Sequence, residues 1–251
     1  MTLDLPLVLK TKYAFHALLW LGEPEVVLDI GSMDGSDAKR FRTLVPRAEI
    51  VAFEGNPYNY QAMLSDPQIG RRRIRVENCL VSDGEGECSF FVQRPTGTGN
   101  FNRGASSMTR RDQTGAITEE VRLHSVSVES FLLSEYPRAS SVALWVDVEG
   151  HAHTVFGGLG SVADRVKLIH VEVETGELWS GQKLEADVLR LASSLGFVAV
   201  ARGANSLQRD VILVSYSWYA ADRTRIDALL RLASWHGPAL SRIIAWSNFG
   251  R

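Results

Sequence analysis

With 251 residues, a formal net charge of −2 and a sequence pI near 6.3, the chain lacks the broad basic face that bulk nucleic-acid binding needs. A hydrophobic share of 45% suffices for one large core, and no linker divides it, so residues 1–251 are read as a single domain. Cys79 and Cys88 lack metal-ligand spacing and are read as reduced core thiols. With no signal peptide and no membrane span in the pattern, a cytoplasmic protein binding neither nucleic acid nor membrane is expected.

Residues 1–25 read as a covering segment, with alternating Leu3, Leu5, Leu7 and Leu9 and then a helix from about Lys12 to Leu21. The run Val26–Ile30 is a buried strand that ends in Gly31-Ser32-Met33-Asp34-Gly35, a tight turn opening a helix over Ser36–Leu44. Further strands are expected at Ile50–Glu54, Ile74–Val81, Glu87–Gln93, Ala143–Val148, Leu168–Val173, Phe197–Ala201 and Val211–Tyr216. Helices are expected at Tyr58–Ser65, Val128–Glu135, His151–Gly158 and Lys183–Leu195. This alternation predicts an α/β fold, a mostly parallel sheet with helices on both faces. The last two strands are joined by RGANSLQRD with no helix between them, so they should pair antiparallel at one sheet edge.

Two segments stand outside that alternation. Residues 94–118, rich in Gly, Thr and Arg, form a long loop suited to be a substrate lid. Residues 218–251 form a helical extension with two amphipathic segments, Tyr219–Trp235 and Ala239–Trp246, whose apolar face suits packing or a homodimer contact. Arg71-Arg72-Arg73 with Arg75 reads as a solvated turn, whereas Arg94, Arg103, Arg110 and Arg111 in the loop could clamp an anionic acceptor.

The chemistry is written at the strand ends. Ligands of an open α/β sheet lie across the carboxyl ends of its strands, and here those ends carry Asp29, Glu54, Asp83, Asp147 with Glu149, and Glu172 with Glu174. Buried strands have no structural reason to finish in charge, so the row reads as a ligand site. S-adenosylmethionine (SAM) suits carboxylate acceptors, because it offers an ammonium, a sulfonium, two ribose hydroxyls and an adenine amino group. Glu54 follows Gly31 by 23 positions, close to the roughly 20 expected for a ribose-binding acid. The cofactor site is therefore read as Asp29, Gly31, Ser32, Asp34, Gly35, Glu54, Ser82, Asp83 and Asp147, with Asp83 facing the adenine amino group.

Catalysis is read on Asp147, His151 and Glu172: an alcohol needs help losing its proton, and a carboxylate or imidazole can give it. His151 and His153 point about 200° apart on a helix, so one of them is a surface residue. Asp147, Glu149 and Glu172 could bind a hard cation, but the preferred reading has them hold the methionine ammonium and cap the next helix, with no metal. Trp145 and Trp179 are read either as core or as platforms for a sugar.

The motifs VVLDIGSMDG, IVAFEGNP, ENCLVSDGEGECSFF, GASSMT and HSVSVESFL, with LWVDVEGH, FGG and HVEVE, together resemble the FkbM-type family of SAM-dependent methyltransferases. The resemblance runs from about Val26 to Glu174. It implies a Rossmann-like seven-stranded fold with an antiparallel last strand, and methyl transfer to an oxygen, commonly a sugar or natural-product hydroxyl. Two departures stand out. Ala152 replaces a glutamate after DVEG, and Ser32-Met33-Asp34 replaces a less polar turn. The competing readings are a nicotinamide-dependent oxidoreductase and a methyltransferase-like subunit without catalysis.

Overall fold

The apolar run Val26–Ile30 is buried along its whole length, as a strand covered on both faces must be. In the computed structural model, which describes residues 7–93, 104, 106–109, 118–179, 181–204 and 206–247, this run is β2 of a larger sheet. Before it come β1 (Leu7–Val8) and α1 (Thr11–Gly22); after it come α2 (Ser36–Leu44), β3 (Glu49–Phe53), α3 (Pro57–Ser65), α4 (Pro67–Arg71) and β4 (Ile74–Glu77). Then follow β5 (Leu80–Ser82), β6 (Gly86–Gln93), β7 (Thr118–Ser127), α5 (Val128–Glu135), β8 (Val142–Val146) and α6 (Ala152–Gly157). A 3-10 turn (Gly160–Arg165), β9 (Val166–Glu174), α7 (Glu185–Ser194), β10 (Phe197–Arg202), β11 (Gln208–Ser215) and α8 (Tyr216–Ser247) complete the chain.

The main sheet runs β1-β10-β11-β9-β8-β2-β3-β4. Strands β9, β8, β2, β3 and β4 are mutually parallel, while β11 is antiparallel to both β9 and β10. This is the Rossmann-like order with its antiparallel final strand, but two details differ from expectation. The sheet has eight strands rather than seven, because Leu7–Val8 adds parallel to β10. The last two strands pair antiparallel near one end of the sheet as expected, but β1 lies outside them, and β11, buried from Val211 to Ser215, is flanked by β10 and β9.

The expected strand Ile74–Val81 breaks in two. Asn78 turns inward, its Nδ2 donating to the Glu54 and Gly55 carbonyls (2.7 and 3.3 Å). Past this break the chain leaves the main sheet and builds a second one, β5-β7-β6. Strand β7 had no clear sequence signature, because most of its side chains are half-buried or exposed.

Helices α1, α2 and α8 cover one face of the main sheet and α5, α6 and α7 the other. Under α1 an aromatic stack supports the site: Trp145 lies flat on His170, centroids 3.5 Å apart, with Phe15 edge-on to Trp145 at 5.1 Å. Trp145 is thus a core residue. The two amphipathic C-terminal segments run on as α8, with non-helical backbone at Asp222 and His236. Pro238 accounts for the second break, since it removes a helical donor and crowds the preceding turn.

The tightest approach in the fold is at Gly31, whose φ is +87° and where an added Cβ would stand 2.0 Å from the Asp147 carbonyl oxygen. Gly31→Ala should therefore cost roughly 2–4 kcal/mol of stability or prevent folding. Urea denaturation reads it; an unchanged midpoint would mean that β8 does not pass this close.

Candidate functional site

The turn after β2 is tied down from three sides. The Gly31 and Ser32 amides both donate to the Phe53 carbonyl (3.0 Å each), and the Asp147 amide donates to the Ile30 carbonyl (2.9 Å). Ser32 Oγ donates to Asp29 Oδ2 (2.6 Å), and both residues are buried. Burial pushes the Asp29 carboxyl up to about 8, against the opposing pull of the Ser32 hydroxyl. Asp34 Oδ1 accepts from the Ser36 amide (2.9 Å), satisfying a free donor at the start of α2. Gly35, at φ +71°, leaves room for Ile69, whose Cδ1 would be 2.8 Å from an added Cβ.

Glu54 stands at the end of β3 and is held from both sides. Its Oε2 accepts from the Met33 amide and its Oε1 from the Asn56 amide, at 2.6 Å each. Burial raises its pKa to about 7, although those amides pull the other way. Asn56 also caps α3 through the Tyr58 amide, with Pro57 at the first helical position.

Between these strand ends lies a cleft lined by Gly31, Met33, Glu54, Asp147 and His151 on its polar side, and by Leu80, Val81 and Phe90 on its apolar side. Part of the long loop roofs it. Ser107 pairs with Phe91 through two backbone hydrogen bonds (2.8 and 3.2 Å), and its Oγ donates to the Glu149 carbonyl (2.7 Å). Thr109 Oγ1 lies 3.0 Å from His151 Nε2, and Asn56 Nδ2 donates to Ser106 Oγ (3.3 Å). Burial lowers the His151 pKa, so the ring is neutral at pH 7.

The acids continue from the cleft wall, which Glu149 also lines. Gln208 Nε2 donates to Glu149 Oε2 (3.0 Å) and Glu172 Oε1 (2.9 Å), while Glu174 Oε1 accepts from the Gly150 amide (2.9 Å). Asp147 is reachable from solvent at the cleft, yet the surrounding protein, then Glu149 and Asp210, push its carboxyl up to about 7. Burial and the neighbouring carboxylates raise Glu172 to about 8. Glu149, Glu172 and Glu174 each bring one oxygen within 4.8 Å of the others. Such an acidic cluster does not by itself specify a metal.

Of the residues read from sequence, the structure brings Gly31, Glu54, Asp147 and His151 together in one cleft. Asp29, Ser32, Asp34 and Gly35 shape the turn beneath it, and Glu172 lies in the adjoining network rather than on the wall. Ser82 and Asp83 are not among the residues that line the cleft. The Ser82 hydroxyl donates to the Gly84 carbonyl (3.0 Å), and Asp83 is exposed, packed where α6 ends at Gly157. They follow Leu80 and Val81, the residues of β5 that do line the cleft. Met33, Gln208 and Thr109 were not foreseen; their roles depend on contacts 21 to 59 residues away, which no local pattern shows. Arg94, Arg103, Arg110 and Arg111 lie outside the described residues.

The FkbM methyltransferase domain matches residues 29–199, more than half of the chain and including every polar wall of the cleft. The chain belongs to the FkbM methyltransferase family. It is 29% identical over 212 residues to the 2-O-methyltransferase NoeI of Sinorhizobium fredii, covering 82% of this chain and 85% of that one. Among solved structures, FkbM from Methylobacillus flagellatus aligns with a TM-score of 0.46 at 10% identity, over 76% of this chain and 44% of that one. The N-terminal domain of EvdMO1, in the presence of SAH and D-fucose, aligns at 0.43 and 10% identity over 82% and 83% of the two chains.

This FkbM protein is a SAM-dependent methyltransferase, and its cleft suits the cofactor on its own chemistry. Gly31 lets the Asp147 backbone come close, Glu54 is held by the Met33 and Asn56 amides, and Asp147 makes no side-chain hydrogen bond among the described residues. Leu80, Val81 and Phe90 form an apolar wall of the cleft. No Lys or Arg lines the cleft among the described residues.

A carboxyl with a folded pKa above its unfolded value contributes stability that is lost as pH rises through the folded pKa. Glu54 and Asp147, at about 7, and Asp29 and Glu172, at about 8, should therefore lower the melting temperature of the ligand-free protein between about pH 6.5 and 8.5. Buried His16 and His170, both lowered to about 3, act oppositely and destabilise only below about pH 6.5. Differential scanning fluorimetry across this range tests the sign. A melting temperature that rises toward pH 8.5 would contradict it.

Proposed function

We propose that the enzyme transfers the methyl group of SAM to a hydroxyl oxygen of a small polar acceptor, a sugar or a glycosylated natural product. The observation that carries this reading is the meeting of Gly31, Glu54, Asp147 and His151 around one cleft at the carboxyl ends of the parallel strands. NoeI, the 2-O-methyltransferase relative, supports the choice of an oxygen acceptor.

SAM supplies a methyl group on a sulfonium that an alkoxide oxygen can attack in line. The chain's task is to align the acceptor and take its proton. Asp147 fits the second role: its pKa lies near 7 and it makes no side-chain hydrogen bond among the described residues. His151, neutral and bonded to Thr109, orients the acceptor hydroxyl or receives the proton from it. Glu172 acts at one remove, holding Gln208 against Glu149, and is a positioning residue. Glu54, which also takes a hydrogen bond from the Asn59 side chain, would hold the ribose hydroxyls with the acceptor capacity it has left.

An anionic group on the acceptor, clamped by the loop arginines, and a lid role for residues 94–118 belong to the same proposal. They are supported by the position of Ser106–Thr109 over the cleft. A cytoplasmic setting is supported by Cys79 and Cys88, both free thiols.

Glu54→Ala should weaken SAM binding by about 10- to 100-fold, the loss of a charge-assisted pair of hydrogen bonds. Calorimetric titration checks it; unchanged affinity removes Glu54 from the site. Incubation with methyl-labelled SAM and a panel of sugars should place label on a sugar oxygen in the wild type, and Asp147→Asn should slow transfer by about 100-fold or more while SAM still binds. Tight SAM binding without transfer to any sugar would favour a non-catalytic subunit.

A further inference from the structure

On the side of the sheet away from the cleft, near the amino end of β3, a basin is lined by Arg42, Arg47, Arg71, Arg72 and Arg73, with Ala245 of α8 closing one wall. Two of these arginines build the basin. Arg42 donates to the carbonyls of Pro46, Ala48, Arg72 and Arg73 (2.5–3.0 Å), and Arg72 to the Lys39 carbonyl (3.2 Å) and Thr43 Oγ1 (2.8 Å). The other three, Arg47, Arg71 and Arg73, are exposed and form no ion pair among the described residues. Glu49 is the basin's single acid.

The helix that closes this basin carries an apolar stripe on its outer face. Trp235 is 84% exposed, Trp246 81%, Ile243 65% and Leu232 48%. Leu232 and Trp235 are one turn apart, as are Ile243 and Trp246, so each segment of α8 presents a pair of large side chains outward. Its opposite face, at Ile226, Leu230, Ala233, Gly237, Ser241 and Ile244, is buried. Exposed Arg231 and Arg242 each stand one position before a stripe residue, Leu232 or Ile243, and neither forms an ion pair among the described residues. The helix's acids, Asp222 and Asp227, are already paired with Arg225 and Arg223, and the sequence has no Asp or Glu after Asp227.

We propose that this surface rests on an anionic lipid bilayer, with Trp235, Ile243 and Trp246 in the headgroup boundary and Arg47, Arg71 and Arg73 on lipid phosphates. Tryptophan with aliphatic residues on one face and unpaired arginines beside them is the pattern of an interfacial helix. A homodimer through this face is the weaker occupant, because it would press together two faces whose arginines have no ion pair among the described residues. No helix among the described residues is long and apolar enough to cross a membrane, so the contact is peripheral. The cleft lies at the other end of the strands and stays open to its acceptor.

The test uses the full chain and vesicles of phosphatidylcholine, with and without phosphatidylglycerol, at low and high salt. Expected is co-sedimentation and a blue shift of tryptophan emission only with the anionic vesicles, weakened by salt. Arg71→Ser with Arg73→Ser should reduce vesicle affinity by about fivefold per arginine. Trp235→Ser with Trp246→Ser should abolish the contact. SAM binding should be unchanged in both variants, which shows that they fold and separates this result from the catalytic reading. Equal binding to neutral vesicles, or none to either, overturns the proposal. So does light scattering that finds a wild-type dimer which the tryptophan variant dissociates, since the stripe would then belong to a second copy.

Discussion

A cluster of carboxylates crowded at the ends of buried strands governs this structure. None of Glu54, Asp147, Glu172 and Glu174 has a lysine or arginine among the groups that set its pKa, and all four are raised. Burial does most of this, and mutual repulsion adds to it for each of them. Such a corner is unfavourable in the empty protein and becomes favourable when a cation enters. A sulfonium cofactor with an ammonium group is a cation of that kind, and the cluster opens onto the cleft where Gly31 brings the backbone closest.

The rest of the scaffold keeps that corner in register. Gly31 is obligatory because the end of β8 passes directly against it, and the same contact fixes where Asp147 begins. Glu54 then locks the turn to the start of α3 through two amides. Below, the flat stack of Trp145 on His170, braced by Phe15, fills the space under the carboxylates with side chains that cannot neutralise them: His170 is held uncharged by burial. The second sheet and the loop residues Ser106–Thr109 close the far side and bring an apolar wall to the cleft.

Much of this was legible in the residues themselves. The helices Ser36–Leu44 and Val128–Glu135 fall where periodicity puts them, because their ends are marked by Gly35 and Ser127. The carboxylates of Glu54 and Asp147 were found by a rule of position: they follow apolar strands. That rule failed at Asp83, which also follows an apolar run. Asn78 had already turned the chain out of the main sheet, through hydrogen bonds to Glu54 and Gly55, 24 and 23 residues earlier. Strand order was equally hidden; the antiparallel strand enters the interior because β10 pairs on one side and β9 on the other, a choice made between segments and not within one. Gln208 shows the same limit, a polar residue in a short connection whose partners, Glu149 and Glu172, become neighbours only in the folded sheet.

The two ends of the strands thus carry opposite chemistry: acids around the cleft proposed for a cationic cofactor, and at the other end arginines with no ion pair among the described residues, near the helix that carries the exposed tryptophans. The central claim concerns the acids, and it is tested most directly by counting protons. Calorimetric titration of SAM into the protein near pH 7, repeated in buffers of different ionisation enthalpy, measures the protons exchanged on binding. If the cofactor's charge is what these carboxylates await, binding will release protons, and S-adenosylhomocysteine, which lacks the sulfonium, will release fewer. Proton uptake, or the same count for both ligands, would contradict the account.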